Sequence, residues 1–205
     1  ERTEEILKST APKVLNRVIN LETGSIAVEA GIKMMLTRFY RLDPSFPEPK
    51  YSGKTPVFFV MADNNGESGA NYHGTSVIAQ TFRGMWPDCY RKMDGTGTYK
   101  VVPVRINDIR DFRAKIKKYN TGGCKVAGFL HEIIMMNFGA VRLTPGFLRA
   151  AYEACREADI PTLVDEIQSC MWYKGMFLHR LYGLEPDFIV IGKGFSGGEY
   201  PASKI

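Results

Sequence analysis

Lys193 stands between Gly192 and Gly194, directly after the apolar, β-branched run of residues 188–191. A run of that length and composition reads as a fully buried strand. An amine at its end costs free energy unless it is neutral, paired or covalently used. Glycines on both sides let a partner approach the backbone closely. Lys193 is therefore a candidate reactive amine, and the plain alternative is an exposed loop lysine beside a flexible turn. Carboxylates recur at comparable places. Glu132 sits near the carboxyl end of the apolar run 126–134, and Asp165 closes a strand-like stretch within 161–167, followed by Gln168.

Gly24 and Ser25 lie where a strand expected over residues 14–21 gives way to a helix expected from Ser25 to about Arg41. Free backbone N–H groups and the positive dipole end make such a junction an anion site, although a plain N-cap has the same composition. Tyr72 and His73 precede a helix expected over 76–85, where they could meet a ligand or simply pack. An amine, a buried carboxylate, an anion-binding helix start and an aromatic ring together match pyridoxal 5′-phosphate. Its aldehyde takes a lysine as a Schiff base, its phosphate a helix N-terminus, its pyridine nitrogen an acid, and its ring a stacking partner.

Two nucleotide motifs compete for the same glycines. Gly192, Gly194 and Gly197 satisfy G-x-G-x-x-G, but that fingerprint needs a helix at its third glycine and an acidic residue about 20 positions on. Gly198, Glu199, Tyr200 and Pro201 follow instead. A P-loop would need glycine at Asp187 and Ser or Thr at Gly194.

The elements that must hold these residues alternate. Strands are expected at 56–62, 100–105, 126–134 and 161–167, and helices at 106–119 and 145–158; residues 44–54 and 84–98 read as loops. Several strands lack polar alternation, which predicts an α/β fold with a mostly parallel sheet covered by helices on both faces. At 205 residues, one domain is the default.

Composition excludes more than it selects. The net charge is +5, yet its densest group, Arg113, Lys115, Lys117 and Lys118, lies beside Asp108 and Asp111 and reads as a solvated helix; a nucleic-acid partner has no support. No apolar run approaches the 18 or so residues of a membrane span. Cys89, Cys124, Cys155 and Cys170 form no C-x-x-C pair, and with His73, His131 and His179 they give no metal spacing. Reduced, buried thiols and a cytoplasmic location are expected.

In order, T-G-S-I-A-V-E-A, N-Y-H-G-T-S, H-E-I-I-M-M-N-F-G-A, L-V-D-E-I-Q and I-G-K-G-F-S-G-G resemble the class III pyridoxal-phosphate aminotransferases of the ornithine and 4-aminobutyrate type, with fold type I. The resemblance implies a ping-pong transfer of an amino group from a small-molecule donor to a 2-oxo acid, in a homodimer. It makes Lys193 the Schiff-base lysine and proton carrier, Asp165 the partner of the pyridine nitrogen, and Gln168 the neighbour of the phenolic oxygen. Gly24 and Ser25 become the phosphate cradle, Tyr72 the stacked ring with His73 beside it, and Glu132 an acid close to cofactor and substrate. Other outcomes on the same scaffold are an aminomutase, a racemase or a decarboxylase, and a non-catalytic cofactor-binding fragment is a further alternative. Met136-Asn137 stands where many members carry Gly-Glu, and Ile26, read as a packing change, replaces a usual glutamate. The chain is expected to be the large cofactor-binding domain alone, with the small domain and a partner-donated threonine outside it and an antiparallel strand beginning near Ser203.

Overall fold

The structure is a computed structural model, and it describes residues 15, 17–197, 199 and 202–205. Its centre is a five-stranded, all-parallel sheet in the order β3-β2-β4-β7-β8. These strands are β2 (Thr55–Met61), β3 (Lys100–Val104), β4 (Cys124–Glu132), β7 (Thr162–Asp165) and β8 (Phe188–Val190). In the interior strand β2 every residue from Pro56 to Met61 is buried, which requires cover on both faces.

Successive side chains supply the two faces. Val57, Phe59 and Met61 join one cluster with Phe112 of helix α4 (Ile109–Tyr119) and Phe147, Leu148 and Ala151 of α5 (Pro145–Glu157). Phe58 and Val60 join the other with Ala27, Val28, Ile32 and Met35 of α1 (Gly24–Leu36). Those four residues form a single helical stripe. The stripe comes so close to β4 that a Cβ on Gly128 would lie 2.3 Å from Met35 Sδ, hence a glycine mid-strand. The expected architecture is the observed one.

Several boundaries differ from the sequence reading. The strand expected over 14–21 reduces to β1 (Asn20–Leu21), with Val14 and Asn16 outside the described residues. Its partner among the described residues is the two-residue β9 (Ser203–Lys204), which runs antiparallel to it and also bridges Ile191. The antiparallel strand expected near Ser203 is thus present. The helix expected to Arg41 stops at Leu36, and the one expected over 76–85 is α2 (Val77–Thr81). The stretch 84–98 is not a loop, because α3 (Pro87–Gly95) occupies it. Ile26 is 43% exposed, so it lies outside the buried core. The four cysteines are free, but only Cys155 and Cys170 are buried; Cys89 and Cys124 are half-buried.

Because the sheet is parallel, Met61, Glu132, Asp165 and Val190 end their strands on one side. Ligands of open α/β sheets bind at that side. No helix among the described residues is long and apolar enough to cross a membrane.

Candidate active site

A cleft of about 520 Å³ opens at these carboxyl ends, lined by Thr23, Ser25, Tyr72, Glu132, Asp165 and Lys193, with Gln168, Thr75, Glu22 and Glu199 beside them. Small-molecule sites fall in the range of about 300–1,000 Å³. A larger, charged depression lies at the opposite end of β7 and β8, around Thr162 and Asp187, and holds none of the candidate residues.

One wall is the start of α1. Thr23 is its N-cap, with Oγ1 accepting from the Ile26 N–H at 3.4 Å, and the Thr23 carbonyl accepts from Ser203 Oγ at 2.7 Å. A Cβ on Gly24 would fall 2.4 Å from Ile167 Cδ1, so glycine lets the helix start press against the turn that carries Asp165 and Gln168. Ser25 Oγ accepts from the Thr75 N–H at 2.8 Å. Gly74, at φ +122°, passes so close that a Cβ would lie 2.4 Å from Ser25 Oγ and 2.6 Å from Ser25 Cα. The segment 72–75 is thereby locked to the helix N-terminus, where the orphan N–H groups and the dipole favour an anion.

The floor holds the carboxylates. Asp165 is buried, with Oδ2 2.9 Å from His73 Nδ1 and Oδ1 accepting from the Ile167 N–H at 3.1 Å. A carboxylate only accepts, so Nδ1 carries the proton. His73 Nε2 has no partner among the described residues. Glu132, paired with Asp165 across the β4–β7 ladder, receives Gln168 Nε2 on Oε1 at 3.4 Å, while its buried Oε2 has no partner among the described residues. Burial first, then the Asp165 carboxylate, raises the Glu132 pKa well above the usual carboxylate range. In its protonated form the Glu132 carboxyl can donate a hydrogen bond as well as accept one.

Lys193 opens a short 3₁₀ turn (Lys193–Ser196) and is exposed to the cleft rather than buried. Its φ of +45° lies in the left-handed region, where a side chain costs about 1–2 kcal/mol. Such strain concentrates at functional sites. Among the described residues no helix follows Gly197, as the dinucleotide fingerprint would require. The half-buried Tyr72 ring lines the cleft and carries the Arg83 guanidinium 5.1 Å from its centroid.

Every residue singled out in the sequence for this chemistry therefore meets the same cleft or, in the case of His73, the carboxylate on its floor. The chemistry a pyridoxal phosphate needs is also present: an anion cradle, an accessible amine, a buried carboxylate and an aromatic ring. The profile of the aminotransferase class-III family matches residues 1–205. The chain belongs to the class-III aminotransferases. Among its relatives, ornithine aminotransferase of Schizosaccharomyces pombe is 33% identical over 192 residues, covering 92% of this chain and 41% of the relative. Ornithine aminotransferase of Emericella nidulans is 27% identical over 199 residues, covering 92% and 39%. The structure of the Toxoplasma gondii ornithine aminotransferase, described with partial occupancy of PLP at its active site, superposes with a TM-score of 0.65 at 26% identity, covering 92% of this chain and 40% of that one. The chain spans about 40% of the length of these relatives. Pyridoxal 5′-phosphate is the cofactor of this aminotransferase family.

Sequence reasoning missed Thr75, Glu22, Glu199 and Ile167 as cleft residues. Thr75 was findable, since it follows N-Y-H-G directly. The His73–Asp165 pair was not, because 92 residues separate its members. Met136 and Asn137, the departure that bears on substrate, follow β5 (Ile134–Met135) ahead of β6 (Val141–Arg142), and neither lines the cleft.

Proposed function

We propose that the protein carrying this chain transfers an amino group from an amino acid or amine donor to a 2-oxo acid, in two alternating half-reactions at this cleft. The observation that carries the reading is the convergence of Lys193, the His73-supported Asp165 carboxylate and the α1 N-terminus on one cavity. Bound there, pyridoxal 5′-phosphate would supply an aldehyde for the amino group and an electron-withdrawing ring.

The chain's own residues have separable tasks. The Lys193 amine would hold the cofactor's aldehyde, and when free its Nζ would accept and return a proton. Asp165 would hold the protonated ring nitrogen of the cofactor, and His73 Nδ1–H keeps that carboxylate oriented. The N–H groups at Gly24 and Ser25, with the Ser25 and Thr75 hydroxyls, take the phosphate. Gln168 and Glu132 offer donors at the cleft floor, and Tyr72 supplies the apolar wall.

In this reading residues 1–205 form the large cofactor-binding domain, other segments of the protein complete the substrate pocket, and the working form is a homodimer. Four free cysteines suit a reducing cytoplasmic compartment. Ornithine, named in several relatives, is the first donor to assay. The deciding experiment is Lys193→Ala in the full-length protein loaded with cofactor. The visible absorption of lysine-bound cofactor should disappear, and a retained band would sink the assignment.

A further inference from the structure

Asp165 and Glu166 are adjacent carboxylates that turn in opposite directions, and each meets a histidine Nδ1. Asp165 faces the cleft. Glu166 is fully buried and points away from it, with no role in the proposed chemistry. Its Oε1 accepts from the His179 N–H and lies 2.8 Å from His179 Nδ1; its Oε2 accepts from the Leu178 N–H at 2.6 Å and from Ser169 Oγ at 3.4 Å. Both oxygens already accept backbone donors, so Nδ1 is the protonated nitrogen. His179 itself is 2% exposed and stacks on Phe177. A buried carboxylate supplied with this many donors is a junction that the surrounding structure is built to satisfy.

The junction closes a loop. Glu166 begins it and His179, in helix α6 (Leu178–Leu181), ends it. Between them lie exposed Met171, Trp172 and Lys174, with left-handed backbone at Met171 and Met176. The loop's first turn carries the site: Gln168 reaches Glu132, and Cys170 Sγ donates to the Gly192 carbonyl at 3.3 Å, one residue before Lys193. The Cys170 N–H bonds back to the Glu166 carbonyl at 2.9 Å. Fixing Glu166 therefore fixes both Gln168 and the peptide that leads into the lysine.

We propose that Glu166 is a positioning residue, its carboxylate clamping the 166–179 loop through Leu178 and His179 so that Gln168 and the Gly192–Lys193 peptide hold their places at the cleft. The proposal rests on the transaminase reading for what the lysine does, but the clamp itself is testable without cofactor.

The test uses the full-length protein, apo and loaded. Glu166→Gln turns an amide NH₂ toward backbone N–H groups that now meet an acceptor. Trypsin cleavage after Lys174 in the apo protein should rise about tenfold. In the loaded protein the pH midpoint of the cofactor's visible band should move by about 0.5 unit or more, and kcat should fall about tenfold at nearly constant donor KM. His179→Ala should reproduce these changes, and His179→Asn, whose amide can donate in place of Nδ1, should return cleavage, midpoint and kcat toward wild type. The His179 variants decide the matter if Glu166→Gln fails to fold. A lowered melting temperature with unchanged cleavage, midpoint and kcat would overturn the proposal. A wild-type protein that shows no lysine-bound cofactor would instead refute the transaminase reading, leaving the apo cleavage result to judge the clamp.

Discussion

Gly74→Ala isolates the anion cradle from the rest of the site. The new methyl would stand 2.4 Å from Ser25 Oγ and 2.6 Å from Ser25 Cα. The second contact is backbone, so no rotamer change relieves it. Ordinary contact begins near 3.4 Å, so the Thr75 segment and the α1 N-terminus must separate by about 1 Å. The φ of +122° adds about 1–3 kcal/mol of backbone strain for a side chain. Charge-assisted hydrogen bonds of about 1.5–3 kcal/mol depend on that spacing, so the cofactor Kd should rise roughly 10- to 100-fold. Fluorescence titration of the full-length apo protein with pyridoxal 5′-phosphate measures it. Gly53→Ala is the control: φ is +75° with nothing within 4 Å of the added Cβ, so it should lose about 1 kcal/mol of stability yet bind cofactor as wild type. A folded Gly74→Ala protein with a Kd within about threefold of wild type would refute the cradle argument.

Other expectations follow from the same geometry. Lys193→Gly relieves left-handed strain of about 1–2 kcal/mol against about 0.5–1 kcal/mol of added chain entropy; urea midpoints should therefore stay level or rise while the cofactor band vanishes. Glu132 keeps its proton in the folded state above the unfolded value of about 4.5, so stability should fall as pH climbs from there through the raised folded value. Glu132→Gln should flatten that slope and be the more stable protein at pH 9, measured on the apo form. At the far end of the sheet, Asp159 binds Arg38 and Lys50, each at 2.6 Å, and the Tyr51 hydroxyl. Burial opposes ionisation of Asp159, but the hydrogen bonds outweigh it and hold the carboxyl well below the usual range. Asp159→Ala should cost about 1 kcal/mol for this half-exposed group. That loss should shrink in high salt and as pH falls below the unfolded carboxylate value, read from thermal melts.

Apolar runs made the sheet legible: residues 56–62 and 126–134 read as strands buried on both sides. Helix α3 escaped because it buries no residue, leaving no apolar period, while Gly84, Pro87, Gly95 and Gly97 read as breakers. Its start was nonetheless signalled by Pro87 followed by Asp88. The strand over 14–21 was overcalled because alternating apolar residues imply a partner, and the partner available is two residues long. The site's residue types were legible because each sits at a strand end or helix start, where local pattern is strong. Their pairings were not, since His73 reaches Asp165 and Glu166 reaches His179 only through the fold.

The pairing of β1 with β9 bears on the order in which the molecule assembles. Ile19 and Ile205 exchange both backbone hydrogen bonds, and Lys204 reaches the Asn20 side chain 184 positions away. Contacts at such separation carry the largest loop-closure cost and form after local helices and neighbouring strands. Lys193 lies between β8 and β9, and Thr23 follows β1, so their juxtaposition waits on that closure. Nascent chains would thus reach a nearly complete sheet before they possess a place for the cofactor, and pyridoxal phosphate added during refolding should accelerate only the final phase.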